Sequence, residues 1–210
     1  MGTRQCIFLI FIYLTSCSSE SQSSSETRTF NSRYYCEEFS ISAPTNRNWR
    51  SAVLAELNEH KYPLFFRPKG GSDLTKYCPQ FVNLSIEEKK IIYLRLIDAM
   101  VFFESSCNAN AKAKGPNGMA YGLLQLHLGR EQDYQRGCRQ NDSKSSNRSL
   151  ACGFGMLHDQ VDQTNKLFFE GSYWDVLRPK GRSKKAKTIS SHLWYYPLCH
   201  TKAEIKIAHN

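Results

Sequence analysis

The sequence predicts one mainly helical domain, α+β in class with helices dominating, carried behind an N-terminal extension. Apolar residues make up 40% and aromatic residues 12% of the 210, enough to bury one sizeable core and too many for a disordered chain. Helical periodicity is strong in two long segments, whereas strand-like alternation is scarce. No internal repeat is present, and past residue 32 no linker-like stretch interrupts the apolar pattern. Residues 33–210 therefore read as a single domain.

The extension reads as an export signal. Arg4 supplies positive charge, and Cys6 to Leu14 is an unbroken apolar run (CIFLIFIYL) of signal-peptide rather than membrane-spanning length. It ends at Leu14-Thr15-Ser16-Cys17, which resembles the bacterial lipoprotein box. That resemblance implies that residues 1–16 are removed and that Cys17 is lipidated on its thiol. Ser18 is no inner-membrane retention signal, so the lipid anchor is expected in the outer membrane, with the domain periplasmic or at the cell surface. An ordinary signal peptide cut a few residues later is the alternative. Residues 17–32, dominated by Ser with Glu, Gln and Thr, cannot repay the entropy of ordering and read as a flexible tether.

Beyond Cys6 and Cys17, cysteines stand at Cys36, Cys78, Cys107, Cys138, Cys152 and Cys199. An even set in an exported chain points to disulfides. Spacing leaves the pairing open, although Cys138 and Cys152 bracket a polar loop and suggest one pair. No C-x-x-C pair or paired histidine spacing occurs, so neither a metal nor another cofactor is expected. The formal charge is +9, with a dense run from Lys180 to Lys187. Aromatic stacking residues do not interleave it, which argues against nucleic acid and for a solvated loop or attraction to an anionic wall or membrane surface.

Element by element, Trp49 to Leu57 suggests a short helix, and Pro63 to Ser72 a loop that breaks regular structure. Ser85-Ile-Glu-Glu88 fits a capping box. The helix it starts carries Tyr93, Leu96, Ile97, Met100 and Phe103 at helical spacing, which predicts one buried face. Glu104 falls at the end of that stripe. A glycine-rich segment from Lys112 to Tyr121 and a polar stretch from Arg130 to Arg148 follow. Leu150 to Phe169 reads as another helix, with Met156, Leu157, Val161, Leu167 and Phe168 as core positions.

An acid at the end of an apolar helix, with no basic partner beside it, loses solvation and holds its proton near neutral pH. Glycosidic cleavage needs such an acid, because the leaving oxygen must be protonated as the bond breaks. A helix-end cap or a pair with Lys112 or Lys114 is the structural alternative. Phe103-Glu104-Ser105-Ser106, followed after a loop by Gly122-Leu123-Leu124-Gln125, resembles the Glu-Ser … Gly-Leu-Met-Gln pattern of soluble lytic transglycosylases and goose-type lysozymes. Ser149 to Leu157 is similar to the helix after the Gln segment in that family, where a glycine allows close approach. The resemblance covers residues 94–169.

It implies a lysozyme-like fold, a glycan cleft with Glu104 at its floor, and peptidoglycan strands as substrate; a tethered wall enzyme with one cleft can work as a monomer. Ser105 would hold the catalytic loop or substrate, Gln125 would line the cleft, and Tyr121 would contact sugar. The family's Ala-Tyr-Asn segment is missing, and Tyr196, or its neighbour Tyr195, is the loosely aligned substitute. The position two after Gln125, acidic in many goose-type enzymes, is His127, which suggests altered sugar specificity, such as tolerance of de-N-acetylated strands. Inverting hydrolysis requires a second carboxylate roughly 6.5–9.5 Å away. The motif has none, although Glu131, Asp133 and Asp142 lie beyond it. A transglycosylase needs one acid only, so non-hydrolytic cleavage of the β-1,4 bond between N-acetylmuramic acid and N-acetylglucosamine is expected. A hydrolytic lysozyme, an inactive wall-binding lipoprotein, a disulfide-rich interaction protein and a Cys107-dependent hydrolase are the alternatives.

Overall fold

The computed structural model describes residues 35–201 other than 69, 70, 72, 116, 117 and 136. The expected signal peptide, the tether and Cys17 lie outside the described residues. Three short helices, α1 (Trp49–Glu56), α2 (Pro63–Phe66) and α3 (Leu74–Tyr77), lead to the central helix α4 (Ile86–Ser105). The capping box starts α4 as expected: Ser85 Oγ accepts from Glu88 N–H while the Glu88 carboxylate accepts from Ser85 N–H. Tyr93, Leu96, Ile97 and Met100 are all buried, and Phe103 is half-buried.

The glycine-rich segment folds as a small antiparallel sheet in the order β1-β2-β3, with β1 Lys112–Gly115, β2 Gly118–Tyr121 and β3 Leu126–His127. Lys112 pairs with Tyr121, and Ala120 with His127. Helices α5 (Ser146–Thr164) and α6 (Lys185–Trp194) complete the described α-helices, and short 3-10 turns lie between and beyond the elements. Helix α4 packs against α1, α2 and α6, and α5 packs against α1 and α2. The class is thus mainly helical with a minor sheet. No described helix is long and apolar enough to cross a membrane.

Two expected boundaries move. Pro63 begins α2 instead of breaking structure, because its fixed φ suits the first helical position. That turn buries Phe65, which stacks on Tyr93 with ring centroids 4.4 Å apart. The second long helix starts earlier, at Ser146, and stops at Thr164, where Asn165 adopts φ 55°. Leu167 and Phe168 are core residues as expected, but from outside the helix. The buried Asp73 carboxylate accepts both their N–H groups, at 2.9 and 2.8 Å.

Disulfides join Cys36 to Cys107, Cys78 to Cys199 and Cys138 to Cys152. The third is the anticipated pair, and the set is consistent with an exported protein. Buried Asp98 of α4 reinforces the first bridge by accepting the N–H groups of Tyr35 and Cys36, at 2.8 and 2.9 Å. Cys138 and Cys152 are 14 positions apart. Replacing both with serine should lower unfolding free energy by about 3 kcal/mol by freeing that loop in the unfolded chain. Urea unfolding checks this, and an unchanged midpoint would contradict it.

Candidate functional site

Glu104 occupies the last turn of α4. The helix ends there because Ser106 and Cys107 both take left-handed conformations, φ 52° and 62°, and Cys107 is tied to Cys36. The last turn contains no basic residue. Burial, then the negative charge of Asp175, pushes the Glu104 carboxyl up to about 7, in the direction that the helix dipole also favours at this end.

The carboxyl opens on a cleft of about 890 Å³. One wall comes from the sheet and the residues after it, with Ala120, Gln125, His127 and Tyr134. The opposite wall comes from α5 and the chain beyond it, including Gln160, Tyr173, Trp174 and Asp175. Long-range hydrogen bonds join the walls at the base. Tyr173 Oη donates to the Gln125 carbonyl at 3.1 Å and accepts His127 N–H at 2.9 Å, while Trp174 Nε1 donates to the Leu124 carbonyl at 2.8 Å. Gly153 of α5 makes room for this arrangement, since a Cβ there would sit 2.3 Å from Leu124 Cδ1.

Gln125 lines the cleft with its backbone at φ 48°, an uncommon conformation for a residue with a side chain. Its Nε2 donates to the carbonyls of Gly122 and Ala111, at 2.8 and 3.2 Å, so the amide braces the loop that presents it. His127 also lines the cleft. Its ring clusters with those of Tyr134 and Tyr173, all centroid separations lying between 4.9 and 5.3 Å. His127 Nδ1 is hydrogen-bonded to Tyr134 Oη. Burial, then Arg130, holds the imidazole pKa down, so the ring is neutral at pH 7.

The remaining candidates lie outside the lining. Ser105 is buried and its Oγ donates to the Val101 carbonyl at 2.9 Å, so it braces the helix end. Tyr121 Oη donates to Asn110 Oδ1 at 3.1 Å, and Lys112 Nζ stands 5.5 Å from its ring. Tyr196 covers the Arg95 guanidinium at 4.7 Å and, with Tyr195, lines a separate cavity beside Tyr35 and His192.

The three acids beyond the motif are engaged elsewhere. Glu131 is fully buried and accepts from Asn141 N–H, Ser143 N–H and Ser143 Oγ. Asp133 pairs with Arg130 at 2.9 Å, and Asp142 accepts Arg139 N–H at 2.7 Å. The acids that line the cleft with Glu104 are Asp159 and Asp175. Burial disfavours the Asp175 charge, but the N–H groups of Ser183 and Arg182, at 2.6 and 3.1 Å, the Ser183 hydroxyl and the Arg178 charge hold its pKa below the usual value. Sequence patterning did not single out Tyr134, Tyr173, Trp174 or Asp175. The aromatic density of Tyr173-Trp174 was the available signal.

No protein-family model and no curated protein matches the chain. Among solved structures, the wild-type form of Bd0314 DslA, a Bdellovibrio protein, is similar with a TM-score of 0.62 at 24% identity, over 76% of this chain and 94% of that one. The chain shares its fold with DslA. Structures of two glutamine variants of DslA give TM-scores of 0.61 at 24% and 23% identity, each over 76% of this chain.

Proposed function

We propose that this protein cleaves the glycan strands of peptidoglycan, as a lytic transglycosylase with Glu104 as both acid and base. The observation that carries the reading is the Glu104 carboxyl, raised to about 7 and open to a cleft whose walls hold aromatic rings and side-chain amides. Such a lining suits sugars, which stack on rings and exchange hydrogen bonds with amides. In its protonated form Glu104 gives its proton to the leaving glycosidic oxygen. As carboxylate it then takes the proton of the muramic acid 6-hydroxyl, which closes on the anomeric carbon and yields an anhydro-muramyl end. The lysozyme-like assignment of the fold and outer-membrane anchoring through Cys17 belong to the same proposal.

Hydrolysis is the second reading, favoured by Asp159 and Asp175 on the same cleft as Glu104. Mass spectrometry of fragments released from peptidoglycan separates the readings. Anhydro-muramyl ends support the transglycosylase, reducing ends support a lysozyme, and release of nothing points to a wall-binding protein. The first step needs the protonated acid, so cleavage should fall as pH rises through about 7. A rate profile that stays flat from pH 5 to about 9 would contradict the assignment of Glu104.

A further inference from the structure

Helix α5 separates the cleft from a second cavity of about 390 Å³. Cys152, Gly155 and His158 face that cavity, Met156, Gln160 and Gln163 face the cleft, and Asp159 lines both. The second cavity carries both signs of charge, with Lys61, Arg139 and Arg148 cationic and Asp142 and Asp159 anionic. It is firmly built: the Cys138–Cys152 disulfide closes one side, and Asp142 Oδ2 fixes the loop by accepting Arg139 N–H at 2.7 Å.

Among the described residues, two buried polar atoms of its lining make no hydrogen bond. Asp142 is only 4% exposed, yet its Oδ1 has just an ion-pair approach from Arg148 Nε at 3.5 Å. His158 Nε2 is likewise buried without a partner. A buried carboxylate oxygen without a donor costs stability unless a ligand supplies one.

We propose that this cavity binds a terminal amino acid bearing both a free ammonium and a free carboxylate, at the end of a peptide branch on the strand lying in the neighbouring cleft. The ammonium meets Asp142 Oδ1 and Asp159, and the carboxylate meets Arg139 and Arg148, the pairing that charge-assisted hydrogen bonds favour. The branch as source rests on the glycan-cleaving proposal, whereas the site's chemistry does not. Across the ridge of α5, a strand held at Glu104 can place a side branch in this cavity, making peptide-bearing strands the preferred substrate.

The test is NMR titration of the folded protein with a sugar-free tripeptide acetylated at its N-terminus and ending in meso-diaminopimelate, and with the same peptide acetylated also on the free diaminopimelate amine. Saturable shifts at Ala151, Gly155 and His158, with affinity about tenfold weaker after that second acetylation and in Arg139→Ala, are expected. Cleavage of peptide-free glycan by Arg139→Ala at the wild-type rate, beside weakened peptide binding, supports the site. Absence of saturable shifts at millimolar peptide, or affinity indifferent to both changes, overturns it even if strands are cleaved. Peptide binding without any strand cleavage supports the site and instead refutes the enzymatic proposal.

Discussion

Replacing Glu104 with glutamine should reduce fragment release from peptidoglycan by about 10³-fold, the middle of the range for losing a general acid–base group. Glutamine keeps the shape and removes the proton that, in the proposed mechanism, the leaving oxygen requires. The variant should also be more stable than the wild type in alkaline solution. The folded chain holds this carboxyl at about 7, against about 4.3 when unfolded. Below pH 4 the acid is neutral in both states and contributes no penalty. As pH rises toward 7 the unfolded chain ionises first, so the wild type loses stability, by about 1–3 kcal/mol once partial solvent screening is allowed for. Glu104→Gln escapes that loss. Denaturant titrations at pH 4 and pH 8 should show the variant level with the wild type at the first and ahead at the second. A variant that is inactive and also less stable at pH 8 would mean that Glu104 supports the fold rather than the chemistry.

The features that were legible in the sequence are those written within a few positions. Ser85 and Glu88 announce the start of α4 because a capping box is a four-residue device, and the stripe from Tyr93 to Met100 follows from helical period alone. Glu104 could be singled out because its last-turn position, its lack of a basic neighbour and the Glu-Ser and Gly-Leu-Leu-Gln segments are all local patterns. The opposite wall of the cleft is not local. Tyr173 and Trp174 belong to the site through bonds to carbonyls 48 and 50 positions away, and no periodicity encodes such a partnership. Asp175 escaped notice for the same reason. Its role depends on the loop that folds back to place Arg182 and Ser183 N–H groups on its carboxylate, inside the run that by composition reads as solvated charge. Leu167 and Phe168 show the converse: their burial follows from apolar character, while their support by Asp73 could not be read from the sequence. Tyr196 illustrates the limit of matching an aromatic by position in the chain, since the fold places it against Arg95.

Among the described glycines, Gly122 is the one where an added methyl should do most damage. Gly122 has φ 75°, where a Cβ costs about 1–2 kcal/mol. The added atom would also lie 2.1 Å from the Ser143 carbonyl oxygen. That oxygen cannot swing aside, because buried Glu131 holds Ser143 through both its N–H and its hydroxyl. Gly122 is equally fixed, its N–H donating to the Ala111 carbonyl at 3.0 Å and its own carbonyl accepting Gln125 Nε2. Overpacking against an immovable backbone belongs at the upper end of its usual cost of about 1–3 kcal/mol, so the combined loss should approach about 4 kcal/mol. For a domain of this size that is a fall in Tm of roughly 10 °C. Gly129→Ala is the control, since Gly129 has φ 81° with no atom nearer than 3.8 Å to the new methyl; it should show the conformational cost alone. The excess loss in Gly122→Ala therefore measures how rigidly Glu131 and Ser143 hold the loop carrying Gln125. Equal losses in the two variants would show that the loop yields, and that the cleft wall opposite Tyr173 is softer than its hydrogen bonds imply.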